Sequence, residues 1–237
     1  MRSNERVVIV TGGSHGIGAG IVAGYRSIGY SVVATSRTIG LSNDEHVLNI
    51  AGDIRERATA LKVVAGAKER FGRIDTLVNN AGIFLSKPFV EYTQEEFDAT
   101  VGTNVEGVFH MTQVVLPEML SRHSGHIVNI SASLVDDPRS SHPVGLAALT
   151  KGGVNSLTKE LAVEVAKKGV RVNAVAPGII KTPIQNPAKY DALAKLQPLG
   201  RLGEVRDIVD AVLYLESALF VTGEIIHVDG GAAGGLV

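Results

Sequence analysis

The stretch HPVGLAALTKGG, residues 142–153, sets a single ammonium, Lys151, among small and apolar residues with helical character. Burying a lone charge costs stability unless a partner or ligand uses it, so a lysine in this setting points to binding or proton transfer. One turn earlier on the same helical face stands Ala147, whose methyl can do no chemistry for it. A second group is TGGSHGIG, residues 11–18. Gly12, Gly16 and Gly18, with Ser14, His15 and Ile17 between them, allow a tight turn and close approach of backbone to a pyrophosphate when a strand precedes and a helix follows. The alternative is an ordinary glycine-rich turn. A third group is Ser36-Arg37, which stands where a carboxylate would hydrogen-bond an NAD ribose. An arginine there can accept a 2′-phosphate, which favours NADP(H) with NAD(H) as the alternative, unless Arg37 is a solvated loop residue. His15 either adds a donor near that phosphate or is an exposed turn histidine.

These groups need a frame. Short β-branched runs, VVIVT 7–11, SVVATS 31–36, VLNIA 47–51, DTLVN 75–79, HIVNIS 126–131, VRVNAVA 170–176 and EIIHVD 224–229, alternate with helical stretches near 17–28, 55–71, 94–121, 144–168 and 204–216. The strands are apolar on both parities, as when both faces of a sheet are covered. The alternation predicts βαβ crossovers and an α/β fold: a single-domain, Rossmann-like, doubly wound parallel sheet of about seven strands with helices on both faces. Residues 177–203 are richer in proline and turn formers, and 183–200 is the candidate substrate lid.

Composition narrows the function classes. The chain has 237 residues, 45% hydrophobic and 20% charged, which suits one compact domain spanning 1–237. A net charge of −1 without a Lys/Arg block argues against nucleic acid or anionic lipid as partners. There is no cysteine, hence no disulfide, thiolate nucleophile or Cys-ligated zinc, and no metal site is assigned. MRSNER leads straight into a strand without a signal-peptide or membrane-span pattern, so a soluble, cytoplasmic protein acting on a small molecule is expected.

The ordered motifs TGGSHGIG, GDI 52–54, NNAG 79–82, GTNVEGVF 102–109, HIVNIS, TKGG 150–153, RVNAVAPGIIKTP 171–183 and TGEIIHVDGG 222–231 resemble the short-chain dehydrogenase/reductase family over essentially the whole chain. The resemblance implies that Asp53 and Ile54 lie against the adenine, and that Asn79, Ala81 and Gly82 support the cofactor and the central sheet. It also implies that Pro177, Gly178, Ile180 and Thr182 pack on the nicotinamide and hold its carboxamide. Asn104 matches an asparagine that links the catalytic lysine to a proton-relay water. Lys151 matches the lysine that binds the nicotinamide ribose and lowers the pKa of a tyrosine one turn earlier, the substrate's proton donor. A dimer or tetramer is implied as well.

The chain departs from that pattern at the chemistry. The tyrosine position is Ala147, and the five tyrosines, Tyr25, Tyr30, Tyr92, Tyr190 and Tyr214, lie elsewhere in sequence. The family's serine falls at Ala132, between Ser131 and Ser133. Ser133 is then either a shifted carbonyl binder or a turn former, and His142 either an alternative proton donor or a loop histidine. Lys151 itself, a water, or Tyr190 could also supply the proton. The expected function is an atypical NADP(H)-dependent oxidoreductase reducing a carbonyl or imine-like group, or oxidising the matching alcohol, without a tyrosine donor. The alternatives are a non-catalytic dinucleotide sensor or scaffold, and non-redox elimination with Lys151 or His142 as base.

Overall fold

A computed structural model describes residues 5–138, 143–183 and 185–234. Seven strands, β1 (Val7–Thr11), β2 (Ser31–Ser36), β3 (Val47–Ala51), β4 (Thr76–Asn79), β5 (Gly125–Ile130), β6 (Val170–Pro177) and β7 (Ile225–Val228), form one sheet. Every pairing is parallel, in the order β3-β2-β1-β4-β5-β6-β7. The helices are α1 (Gly16–Ser27), α2 (Arg57–Phe71), α3 (Gln94–Val101), α4 (Gly107–Ser121), α5 (Gly145–Val165), α6 (Tyr190–Ala194) and α7 (Val205–Ser217). The β-branched runs form strands because both of their faces can be buried. Val7, Ile9, Leu77, Ile127 and Val172 pack against α2, α4 and α5, while the alternate residues Val8, Val10, Val78 and Val128 pack against α1 and α7. The expected doubly wound sheet is therefore the observed one.

The expected single helix over 94–121 is two helices joined by a π-helical segment, Gly102–Glu106. Its start is fixed by a capping box in which Thr93 and Glu96 bond each other's backbone N–H. The π segment widens one turn and buries Asn104, the kind of irregularity that positions functional side chains. Residues 183–200 hold a short 3₁₀ turn, Pro187–Lys189, followed by α6.

The edge of the sheet where the strands begin is tied down by carboxylates. Glu216 of α7, only 7% exposed, accepts hydrogen bonds from Tyr25 Oη, Tyr30 Oη and Thr76 Oγ1, and pairs with His126 Nδ1 at 3.0 Å. Asp75 accepts from the Val7 backbone N–H and from the guanidinium groups of Arg73 and Arg122. Burial alone would raise the Glu216 pKa, but the bonds from His126, Tyr30 and Tyr25 hold it down at about 2. Burial lowers the His126 pKa, and its hydrogen bond with Glu216 and the attraction of that carboxylate oppose the shift.

Candidate active site

The chain winds from β1 to β3 on one side of the sheet and from β4 to β7 on the other, so the crevice past the ends of β1 and β4 is the topological switch point, where open α/β sheets bind ligands. A cleft of about 410 Å³ opens there, with walls from the turns after β1, β2, β4, β5 and β6, the start of α5, and Pro183, Gln185, Leu196 and Gln197.

Its floor is the turn from β1 into α1. Gly12 has φ +66°, and a Cβ on it would stand 2.9 Å from the Ala81 Cα. A Cβ on Gly18 would run into the carbonyl of Gly12. The turn can therefore close only as glycine, and it does so while Ser14, His15, Gly16 and Ile17 face the cleft. His15 caps α1 through its backbone alone, and no acidic residue occupies the first turn, so the N–H groups of this twelve-residue helix are left for an anion. At the end of β2, Ser36 and Arg37 also line the cleft, and the Ser36 Oγ is buried without a hydrogen-bond partner among the described residues. Standing beside the cleft, it is a hydrogen-bonding group that a polar ligand could satisfy. Ala81, Gly82, Pro177, Gly178, Ile180 and Thr182 complete the wall.

Lys151 and Ala147 share one face of α5 and both line the cleft. The Lys151 side chain is almost wholly buried, 9% exposed, and its Nζ donates to the Ile130 carbonyl at 2.7 Å. No carboxylate among the described residues pairs with it, and burial lowers its pKa from 10.5 to about 8. Ser131, Ala132 and Ser133 follow β5 on the facing wall, and the Ser131 Oγ is buried and unpartnered among the described residues.

Four residues expected at the site stand off its lining. Asn104 clamps the wall from behind: its Oδ1 accepts from the Ile83 N–H, and its Nδ2 donates to the Ile83 carbonyl and Thr150 Oγ1. Asn79 is buried in the sheet, donating to Thr112 Oγ1 and Asn129 Oδ1. The Asp53 carboxylate turns to the Arg55 guanidinium, and Ile54 is buried against the glycine that opens α4, where a Cβ on Gly107 would clash with it. His142 lies outside the described residues.

The family model described as Enoyl-(Acyl carrier protein) reductase matches residues 12–233. A 3-oxoacyl-[acyl-carrier-protein] reductase of Thermotoga maritima is 35% identical over 252 residues, spanning 98% of this chain and 99% of that one. The chain belongs to the short-chain dehydrogenase/reductase family. A 2,3-dihydroxy-2,3-dihydro-p-cumate dehydrogenase of Pseudomonas putida is 36% identical over 96% of this chain and 94% of its own. The solved structure of a 3-ketoacyl-(acyl-carrier-protein) reductase from Brucella melitensis, complexed with NADH, superposes with a TM-score of 0.90 at 32% identity, covering 98% of this chain and all of the other. ElxO with NADP bound superposes with a TM-score of 0.90 at 31% identity and the same coverage.

In this short-chain dehydrogenase/reductase the described hydroxyl groups that line the cleft belong to serine and threonine. None of Tyr25, Tyr30, Tyr92, Tyr190 and Tyr214 is among the described residues that line it. Tyr25 and Tyr30 are committed to Glu216 at the far edge of the sheet, and Tyr92 donates to the Leu85 carbonyl. Sequence reasoning missed the apolar side of the site, which Ile83, Leu134, Val144, Ile179 and Leu196 supply. It also missed Asp137, for loop residues without periodicity carry no signal of where they point. Among the described residues, no helix is long and apolar enough to cross a membrane, and no group of His, Asp and Glu could hold a metal ion.

Proposed function

We propose that the protein is an atypical NADP(H)-dependent oxidoreductase that reduces a carbonyl or imine-like group, or oxidises the matching alcohol, with a proton donor other than tyrosine. The observation that carries this reading is Lys151: a buried ammonium, without a carboxylate partner among the described residues, on the wall of a cleft whose floor admits only glycine. The residues present fit a dinucleotide. The N-terminus of α1 and the Gly12–Gly18 turn would hold the pyrophosphate. Ser36 and Arg37 would hold a 2′-phosphate, with His15 beside them, and Lys151 the nicotinamide ribose. Pro177, Gly178, Ile180 and Thr182 would face the nicotinamide, with Ala81 and Gly82 opposite. When bound, the reduced nicotinamide supplies the hydride. Ser133 would orient the substrate oxygen, Asn104 holds the wall that carries Ile83, and residues 183–200 act as the lid that excludes water. ElxO with a tyrosine replaced by phenylalanine still holds NADPH, which supports separating cofactor binding from possession of a phenol.

Fluorescence titration tests the cofactor site: NADPH binds in the micromolar range and more tightly than NADH. A panel of ketones, aldehydes and cyclic imines with NADPH tests the chemistry. Ala147→Tyr places a phenol one turn before Lys151 and raises ketone reduction, by up to about 100-fold where a positioned acid is what the site lacks. A second reading, a dinucleotide-responsive sensor or scaffold, is favoured by the methyls at both Ala132 and Ala147. It is chosen instead if NADPH binds and no substrate turns over. Exposed Val105, Phe109 and Leu149 on and beside α4 and α5 favour a dimer or tetramer of this chain in the cytoplasm, which sedimentation checks.

A further inference from the structure

With no tyrosine among the described residues that line the cleft, another group must give the proton, and the cleft narrows the choice. Its described titratable side chains are His15 and Arg37 at the dinucleotide end, Asp137 on the loop after β5, and Lys151. From the other elements against Lys151, the π segment presents Asn104, saturated by Ile83 and Thr150, and the turn after β4 presents Gly82 and Ile83. The turn after β5 presents Ser131 and Ser133, whose hydroxyls can orient an oxygen but do not release a proton near neutral pH. An ammonium has three N–H donors. The Ile130 carbonyl holds one of them, which fixes Nζ at the wall and leaves two for ligands. One helical turn before Lys151, on the same face of α5, the cleft is lined by the Ala147 methyl rather than by a side chain with its own proton.

We infer that Lys151 is itself the proton donor, its ammonium handing a proton directly to the substrate oxygen past the Ala147 methyl while a second N–H holds the cofactor ribose. This inference rests on the oxidoreductase reading. In reduction the carbonyl carbon accepts the hydride of the dihydronicotinamide, the C=O π pair moves onto oxygen, and that oxygen takes the Nζ proton. The products are the alcohol, the oxidised cofactor and a neutral amine, which recovers its proton from water. Alcohol oxidation runs these steps backwards, with the neutral amine as base. Burial, which lowers Lys151 to about 8, puts it where a group can both give and retake a proton near neutral pH.

The test compares the wild-type holoenzyme with Lys151→Arg, whose guanidinium keeps the charge and donors but cannot lose a proton. With NADPH bound, as measured by fluorescence, Lys151→Arg is expected to reduce a carbonyl about 100-fold more slowly and to lose its pH breakpoint. Adding Ala147→Tyr to that variant returns about tenfold of the rate, because a phenol supplies the missing proton. Should Lys151→Arg bind no NADPH, the wild type alone decides. Competitive acetylation of Lys151 in the NADPH complex, read by peptide mass spectrometry, gives its titration midpoint without reference to turnover. The wild-type reduction rate must fall with pH at that same midpoint, within about 0.5 pH unit. Reduction that survives Lys151→Arg, or a rate flat from about pH 7 to about pH 10, overturns the donor assignment alone. A wild type that binds NADPH and turns over nothing overturns the oxidoreductase reading and this inference together.

Discussion

The two edges of the sheet treat buried charge in opposite ways. Where the strands begin, Glu216 is saturated by Tyr25, Tyr30, Thr76 and His126, and Asp75 by Val7, Arg73 and Arg122. Where the strands end, Lys151 has one carbonyl for a partner, and the hydroxyls of Ser36 and Ser131 have none among the described residues. Satisfied buried groups rigidify a fold, whereas unsatisfied ones carry a standing cost that persists when a ligand or reaction uses them. The difference separates an edge that stabilises the molecule from one that keeps groups free for a ligand, and removing Glu216 or Lys151 should shift stability in opposite directions.

The largest effect is expected at Glu216. Glu216→Ala leaves four buried groups short of a partner and should cost about 3–5 kcal/mol in urea or guanidinium unfolding. NADPH affinity of the remaining folded protein should hardly change, because the hub lies across the sheet from the cleft. The pH dependence has a definite sign. The Glu216 carboxyl is held at about 2 against an ordinary 4.5, so its contribution, about 3 kcal/mol, is complete above the higher value and is lost as pH falls through the lower. Acid unfolding of Glu216→Gln should lack that loss. An acid limb identical to wild type would remove the hub from the account.

Lys151→Met is the mirror image. The ammonium's pKa is lowered on folding from 10.5 to about 8, so the unfolded chain binds the proton more tightly and the charge opposes folding. That cost, about 3 kcal/mol, is present below the folded value and disappears as pH rises past the unfolded one. The variant should therefore be more stable than wild type at pH 7, converge with it in alkaline solution, and bind NADPH more weakly. Thermal unfolding at several pH values without cofactor measures this, and a destabilised Lys151→Met at neutral pH would mean that the lysine is part of the scaffold.

Asn104→Ala comes next, with an expected loss of about 2 kcal/mol, since it strands the Ile83 N–H and carbonyl. Carbonyl turnover should fall while NADPH affinity changes little, because this side chain shapes the wall without lining the cleft. Unchanged stability would show that the π segment does not depend on the clamp.

How far the sequence could be read follows the same division between regular frame and local detail. The β-branched runs and their helical spacers placed all seven strands within a residue or so, because burial on both faces leaves a continuous apolar signature. The glycine turn was legible because only glycine meets its backbone geometry. The π segment was not, since GTNVE has no period to distinguish a widened turn from an α-helical one. Nor was the Glu216 hub: its members come from β4, β5, α1, α7 and the start of β2, and only the fold brings together residues 191 apart in sequence. Asp53 and Ile54 came from family resemblance alone; the Asp53 carboxylate bonds the Arg55 guanidinium, and Ile54 packs on the glycine that opens α4.

The smallest effect, and the one that tests cofactor choice, is expected at Arg37. Arg37 is exposed just past the end of β2, next in sequence to Ser36, whose buried Oγ has no hydrogen-bond partner among the described residues. An exposed charge pair is screened by water and salt, so even a favourable contact with a 2′-phosphate is worth only about 1–2 kcal/mol. Arg37→Ala should therefore weaken NADPH by about tenfold and leave NADH unchanged. Raising the salt concentration should narrow the gap between wild type and variant, since both effects act on the same Coulomb attraction. Equal weakening of the two cofactors would mean that Arg37 shapes the turn rather than reading the phosphate, and the cleft would then carry no preference for NADP(H) at this position.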